Sequence, residues 1–92
     1  MQFSWDPEKE RENWRKHRVR FRPATRVFLD PNRMEVYDDR HDEDRWTVVG
    51  VADATLLVVA YTLRGENDEI TRLISARRAN AKEKRAYREF QN

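Results

Sequence analysis

Residues 56–61 read Leu56-Leu57-Val58-Val59-Ala60-Tyr61, six apolar side chains in succession between Thr55 and Thr62. Side chains on a β-strand alternate between two faces, so a run apolar at both parities marks a strand covered on each side. It is therefore read as the central strand. Working outward, Trp46–Val51 and Met34–Tyr37 precede it and Glu69–Ala76 follows, each rich in β-branched or aromatic residues. The connections between these runs are short and carry Asp, Asn, Gly and charged residues, which predicts an antiparallel meander.

The flanks read as helices. Phe3–Trp5 makes a short β start, and Asp6-Pro7 supplies an N-cap followed by proline at the first helical position. That helix should run to about Lys16, with His17 at its end and Arg18 or Val19 breaking it. Pro23 fits the first turn of a second, shorter helix that buries Val27 and Phe28 before Asp30-Pro31 turns the chain. At the other end Asn80 and Glu83 have the spacing of a capping box. This predicts a helix through Phe90, with Ala86, Tyr87 and Phe90 on the sheet. The expected order is β-α-α-β-β-β-β-α: a single α+β domain over residues 1–92, with an antiparallel sheet, two N-terminal helices and a C-terminal helix.

With 92 residues the chain has material for one core. It has no cysteine, which removes disulfides, thiolate nucleophiles and the usual structural zinc sites. No stretch approaches the roughly 20 apolar residues of a membrane span, and no targeting segment is recognisable, so a cytoplasmic protein is expected. The net charge of +2 hides a segregation along the chain. Residues 1–26 carry 8 basic and 4 acidic side chains, residues 27–71 carry 4 and 11, and residues 72–92 carry 7 and 2. Both ends are basic around an acidic middle, a pattern suited to a polyanionic partner.

Ile74-Ser75-Ala76-Arg77-Arg78-Ala79 brings two adjacent guanidinium groups to a strand end. Arginine suits phosphate because its fork donates two hydrogen bonds and stays charged. Adjacent strand residues point oppositely, so the pair grips one phosphate only if the strand ends or twists there. Arg64 stands at the rim of the central strand, and simple hairpin geometry puts it roughly 25 Å from Arg77. Solvated arginines, or pairs with the acidic middle, account for all three equally well from spacing alone. Lys9, Lys82 and Arg85 lie on basic helices interleaved with aromatics, the composition of an RNA-capturing surface. His17 and His41 are the side-chain types suited to moving protons near neutrality. Asp38-Asp39-Arg40-His41-Asp42-Glu43-Asp44 reads as a solvated hairpin rather than a cation site. No metal or other cofactor is expected. Glycine-rich phosphate loops, nucleophile elbows and zinc-protease motifs are absent, which leaves phosphodiester cleavage among enzyme chemistries. A non-catalytic basic module for nucleic acid or an acidic protein is the alternative.

Nearly the whole chain resembles the BrnT family of bacterial type II toxins. The likeness rests on Trp5-Asp6, Asn13, Lys16-His17, Val19, Phe21, Val27-Phe28, Asp30-Pro31, Asp38, Arg40-His41, Gly50, Val58-Val59-Ala60-Tyr61-Thr62, Arg64-Gly65 and Ile74-Ser75-Ala76-Arg77-Arg78-Ala79. The resemblance implies a RelE-like fold and a metal-independent endoribonuclease that inhibits translation, acting on free RNA or on the ribosome. It also implies neutralisation in a hetero-oligomer by a BrnA-type antitoxin with a ribbon-helix-helix domain. Carried over as roles, Arg64, Arg77 and Arg78 would stabilise the phosphorane, and His17 or Tyr87 would transfer protons. Lys9, Lys82 and Arg85 would hold the RNA. One position departs from the family pattern: Arg18 stands where glycine usually follows the Lys-His pair. A left-handed exit there costs roughly 1 kcal/mol or more without glycine, so a different loop after His17 is expected.

Overall fold

In the computed structural model, which describes residues 1–91, the run at 56–61 lies in the middle strand of a five-stranded sheet. The elements are β1 (Gln2–Ser4), α1 (Pro7–His17), α2 (Phe21–Ala24) continued by a 3-10 turn (Thr25–Leu29), β2 (Met34–Asp38), β3 (Arg45–Ala52), β4 (Thr55–Arg64), β5 (Ile70–Arg78) and α3 (Ala81–Phe90). Across the sheet the order is β1-β5-β4-β3-β2. β2 to β5 form the antiparallel meander, but β1 lies parallel to β5, with Phe3 opposite Thr71. The sheet is mixed, not antiparallel throughout. The chain leaves β1 into α1 and returns to the sheet only after crossing it, which allows β1 to add in the parallel sense.

β1 covers only the first part of β5's outer edge, and α1 covers more of it. Asn13, 4% exposed, donates from Nδ2 to the carbonyls of Val19 (2.9 Å) and Ala76 (2.8 Å). Its Oδ1 accepts the Ala76 N–H at 2.9 Å. The amide thus does at this edge what another strand would do. Asp6 caps α1 through the Glu8 N–H at 2.9 Å, as the Asp-Pro start predicts. At the far end Arg18 does adopt the left-handed exit, at φ 57°, with its N–H on the Trp14 carbonyl. The expected change of loop does not occur. The Arg18 guanidinium lies 5.4 Å from the centre of the Trp14 ring, an attraction that offsets part of the backbone cost.

One face of the sheet buries Val48, Leu57, Val59, Tyr61, Leu73 and Ala76 against Phe21, Val27 and Phe28. Here Gly50 is required by close approach: a Cβ at that position would stand 3.0 Å from the Val27 carbonyl oxygen. The second face carries a smaller cluster, Val49, Val58 and Ala79, packed by Met34, Leu56 and Tyr87. α3 covers this end alone. Its capping box forms as predicted, but none of its residues is fully buried, and Phe90 remains 65% exposed instead of packing on the sheet. Polar contacts hold the helix. Tyr87 donates to Asp30, Gln91 donates to the Asn32 carbonyl at 3.2 Å, and Glu83 accepts both ends of the Arg77 fork at 2.8 and 2.7 Å.

Candidate functional site

Beyond α3 the second face stays open. Its floor is a cross-strand row of small side chains, Thr47, Ala60 and Ser75, each half-buried. Strand alternation puts Arg45 on β3, Thr62 and Arg64 on β4 and Arg72 on β5 on the same face, at the end opposite α3. Arg72 reaches that face because the pairing slips once. Ala60 pairs with Ser75 and Tyr61 with Leu73, leaving Ile74 as a bulge that resets the alternation. α1 forms the rim of this trough, with Asp6, Lys9, Glu12, Lys16 and His17 bordering a cleft of about 580 Å³ whose inner wall is Arg45, Ile74 and Ser75. A smaller cleft of about 190 Å³ adjoins it between Lys9, Arg45, Thr62, Arg64 and Arg72.

In the smaller cleft four cations, Lys9, Arg45, Arg64 and Arg72, face two carboxylates, Asp6 and Glu43. Glu43 accepts from Arg64 at 3.0 Å and lies 3.5 Å from Arg45; the Arg64 hydrogen bond, ahead of other causes, holds its carboxyl below the usual range. That leaves Lys9 and Arg72 without a carboxylate within ion-pair distance among the described residues. The Nε of Arg45 is buried and has no hydrogen-bond partner among the described residues. Arg45 lines both clefts, and with its side chain 28% exposed its guanidinium fork can meet a phosphate there.

β5 runs on through Arg78, past the Ala76 end read from the sequence. Arg77 and Arg78 therefore diverge. Arg77 pairs with Val58 on the trough face and is clamped by Glu83; Arg78 pairs with Leu57 on the opposite face, where it approaches the His17 carbonyl at 3.5 Å. Arg64 shares a face with Arg77 but lies six β4 residues from Arg77's partner Val58, about 20 Å along the strand. The structure thus joins Arg64 with Lys9, and Lys9 with His17, through adjoining clefts. Arg78 stands outside them.

The family model described as the ribonuclease toxin BrnT of type II toxin-antitoxin systems matches residues 5–83. The chain belongs to the BrnT toxin family. It is a ribonuclease toxin whose substrate is RNA and whose partner is an antitoxin, which settles the choice against a non-catalytic module. The crystal structure of the Brucella abortus ribonuclease toxin BrnT is similar, with a TM-score of 0.67 and 23% identity over 87% of this chain and 97% of that one. At that identity the likeness concerns the α+β fold. No curated protein matches the chain. No helix among the described residues is long and apolar enough to cross a membrane.

Within this BrnT toxin, Tyr87 lies between α3 and the 3-10 turn. Burial, and then its bond to Asp30, push its hydroxyl up to about 12, so it serves as a helix fastener more readily than as a proton donor. Lys82 and Arg85 are exposed on α3. His41 sits beside Asp38 at 3.4 Å in the acidic hairpin and lines neither of the two clefts. Sequence reasoning missed Arg45 and Arg72. Strand alternation would have put Arg45 with Thr47, but nothing in the sequence announces the bulge that turns Arg72 to the same side.

Proposed function

We propose that this toxin cleaves RNA without a metal ion in the trough between α1 and the β3–β5 end. The observation that carries the reading is the convergence of Lys9, Arg45, Arg64 and Arg72 on adjoining clefts. The larger cleft is within the size range of ligand sites. In it the 2'-hydroxyl attacks the adjacent phosphorus and the 5'-oxygen leaves, giving a 2',3'-cyclic phosphate and a 5'-hydroxyl end. His17 takes the 2'-hydroxyl proton, with Lys16 beside it, and the departing 5'-oxygen takes a proton from solvent water. Arg45, Arg64 and Lys9 stabilise charge accumulating on the phosphorane, and Arg72 holds a neighbouring phosphate. Arg77 acts at the far end, where release from Glu83 frees it for phosphate.

The same reading includes the RelE-like label for the fold, inhibition of translation through the RNA cleaved, and a BrnA-type antitoxin with a ribbon-helix-helix domain. The deciding experiment incubates antitoxin-free toxin with free RNA in EDTA, and separately with ribosome-bound RNA in magnesium buffer because EDTA dissociates ribosomes, and maps the new ends. Cleavage with 2',3'-cyclic phosphate ends is expected, and His17→Ala should slow it. Cleavage of the free RNA abolished by EDTA refutes the metal-free chemistry, and undiminished cleavage by Arg64→Ala and Arg45→Ala refutes the location.

A further inference from the structure

On the other side of β5, α1's last turn borders a third cleft of about 290 Å³, at the small end for a ligand site. Its wall includes the half-buried Trp14 ring with Arg18, Arg20 and Arg78 around it. The Arg20 guanidinium lies 4.2 Å from the ring centre, and Arg18 lies over the same ring. None of these three arginines forms an ion pair among the described residues. The one carboxylate at the cleft, Asp53, is taken by Arg26. Two exposed cations over an aromatic ring, with a third lining the same cleft and none of the three held by a carboxylate, make an unusual surface for a structural role alone.

We propose that Trp14, Arg18, Arg20 and Arg78 form a second RNA subsite, which stacks one base of the strand flanking the cleaved bond and neutralises its phosphates. The inference rests on cleavage in the trough and extends it. The route between the two sites is short: His17 borders the trough, its own carbonyl meets Arg78, and the next residue, Arg18, lies on Trp14. A single strand leaving the trough past His17 crosses the end of α1 directly onto the ring. A guanidinium stacked on indole can give way to a nucleobase, which offers a larger π surface, and then turn to the adjacent phosphate. Sequence tolerance follows, because every base has a face to stack. An acidic side chain would engage the arginines but offers no π surface to the half-buried ring.

The test uses the full-length toxin and a fully 2'-O-methylated RNA dodecamer, which lacks the attacking hydroxyl, with affinity measured across a salt series in EDTA. Removing three phosphate contacts from a single strand should flatten the slope of log affinity against log salt by about 2, and this is expected for the Arg18→Ala, Arg20→Ala, Arg78→Ala triple variant. Loss of one stacked base weakens binding roughly 5- to 100-fold, the effect expected for Trp14→Leu, with Trp14→Phe largely rescuing it. The arginine side chains are exposed and Trp14→Phe keeps a ring, so a thermal melt separates misfolding from lost binding. An unchanged slope and affinity in the triple variant, alongside slower cleavage of unmodified RNA by Arg64→Ala, overturns the subsite and leaves the trough standing. Undiminished cleavage of unmodified RNA by Arg45→Ala and Arg64→Ala, with a reduced slope in the triple variant, removes the trough instead. Loss of antitoxin binding by the triple variant with RNA binding intact assigns the cleft to an acidic segment of the antitoxin and overturns the proposal.

Discussion

Replacing Asn13 with Asp changes one atom's chemistry at the place where α1 meets the sheet. In the parent, the amide oxygen accepts from the Ala76 N–H and the amide nitrogen serves the Val19 and Ala76 carbonyls, in a site only 4% exposed. An ionised carboxylate keeps the first contact and turns the other two into repulsions between oxygens. Each buried carbonyl left unpaired costs about 1–3 kcal/mol, so the two together cost about 4 kcal/mol before any desolvation of the charge. For a domain of this size each kcal/mol moves Tm by roughly 4–8 °C, which predicts a fall of roughly 15–30 °C at pH 7. The pH dependence has a definite sign. Burial against carbonyls raises the folded-state pKa of the new carboxyl, so the folded form binds more protons than the unfolded form above about pH 4. The variant's deficit relative to the parent therefore grows as pH rises from that value and shrinks toward acid, where a neutral carboxyl can donate once. Melts of both proteins from pH 4 to pH 7.5 read this directly. A Tm deficit under about 5 °C at pH 7, or one that does not narrow in acid, refutes the edge-strand role of Asn13.

Arg45→Ala and Arg64→Ala should each lower RNA cleavage by about 100-fold, the usual loss when one group stabilising transition-state charge is removed, measured by single-turnover cleavage. α3 should loosen in acid. The Arg77 fork holds Glu83 below its ordinary 4.5, and Asp30, which burial pushes up, ends below 3.8 because the Tyr87 hydroxyl, two backbone N–H groups and Arg33 outweigh burial. Both contributions are complete above those ordinary values and are lost as pH falls through the lower folded ones. Hydrogen exchange should accordingly show α3 amides losing protection below about pH 4 while β4 stays protected. Tyr87→Phe should destabilise α3 by about 1 kcal/mol and leave single-turnover cleavage near the parent rate; a large loss of cleavage would restore Tyr87 to the reaction. Gly50→Ala should cost about 1–3 kcal/mol in denaturant titration, because the new Cβ meets backbone rather than a yielding side chain.

The meander, the capped helices and the buried middle strand were legible because each rests on a local signal: double-sided apolarity at 56–61, Asp6-Pro7, and the Asn80 and Glu83 pair. β1's parallel docking was not, since a three-residue strand holds no record of its partner. Neither was the separation of Arg77 from Arg78, which depended on β5 lasting two residues longer than its apolar pattern. Arg18 was misread for a physical reason. The backbone cost of a left-handed arginine was visible, but its compensation on Trp14 required knowing that the chain turns back over the last helical turn. Of the candidate site, Lys9, His17 and Arg64 came from residue type and position, whereas Arg45 and Arg72 needed the register of three strands.

The unpaired Ile74 gives the trough an unequal tolerance to different kinds of genetic change. Arg72 and Arg77 are five positions apart, an odd number, and share a face only because one extra residue lies between them. Substitutions along β5 alter one contact each, and losing the codon for Ile74 would leave Arg72 and Arg77 four positions apart, which strict alternation keeps on one face. β5 should therefore tolerate a one-codon loss at this point, where an unbulged strand losing one would turn every side chain beyond it to the other face.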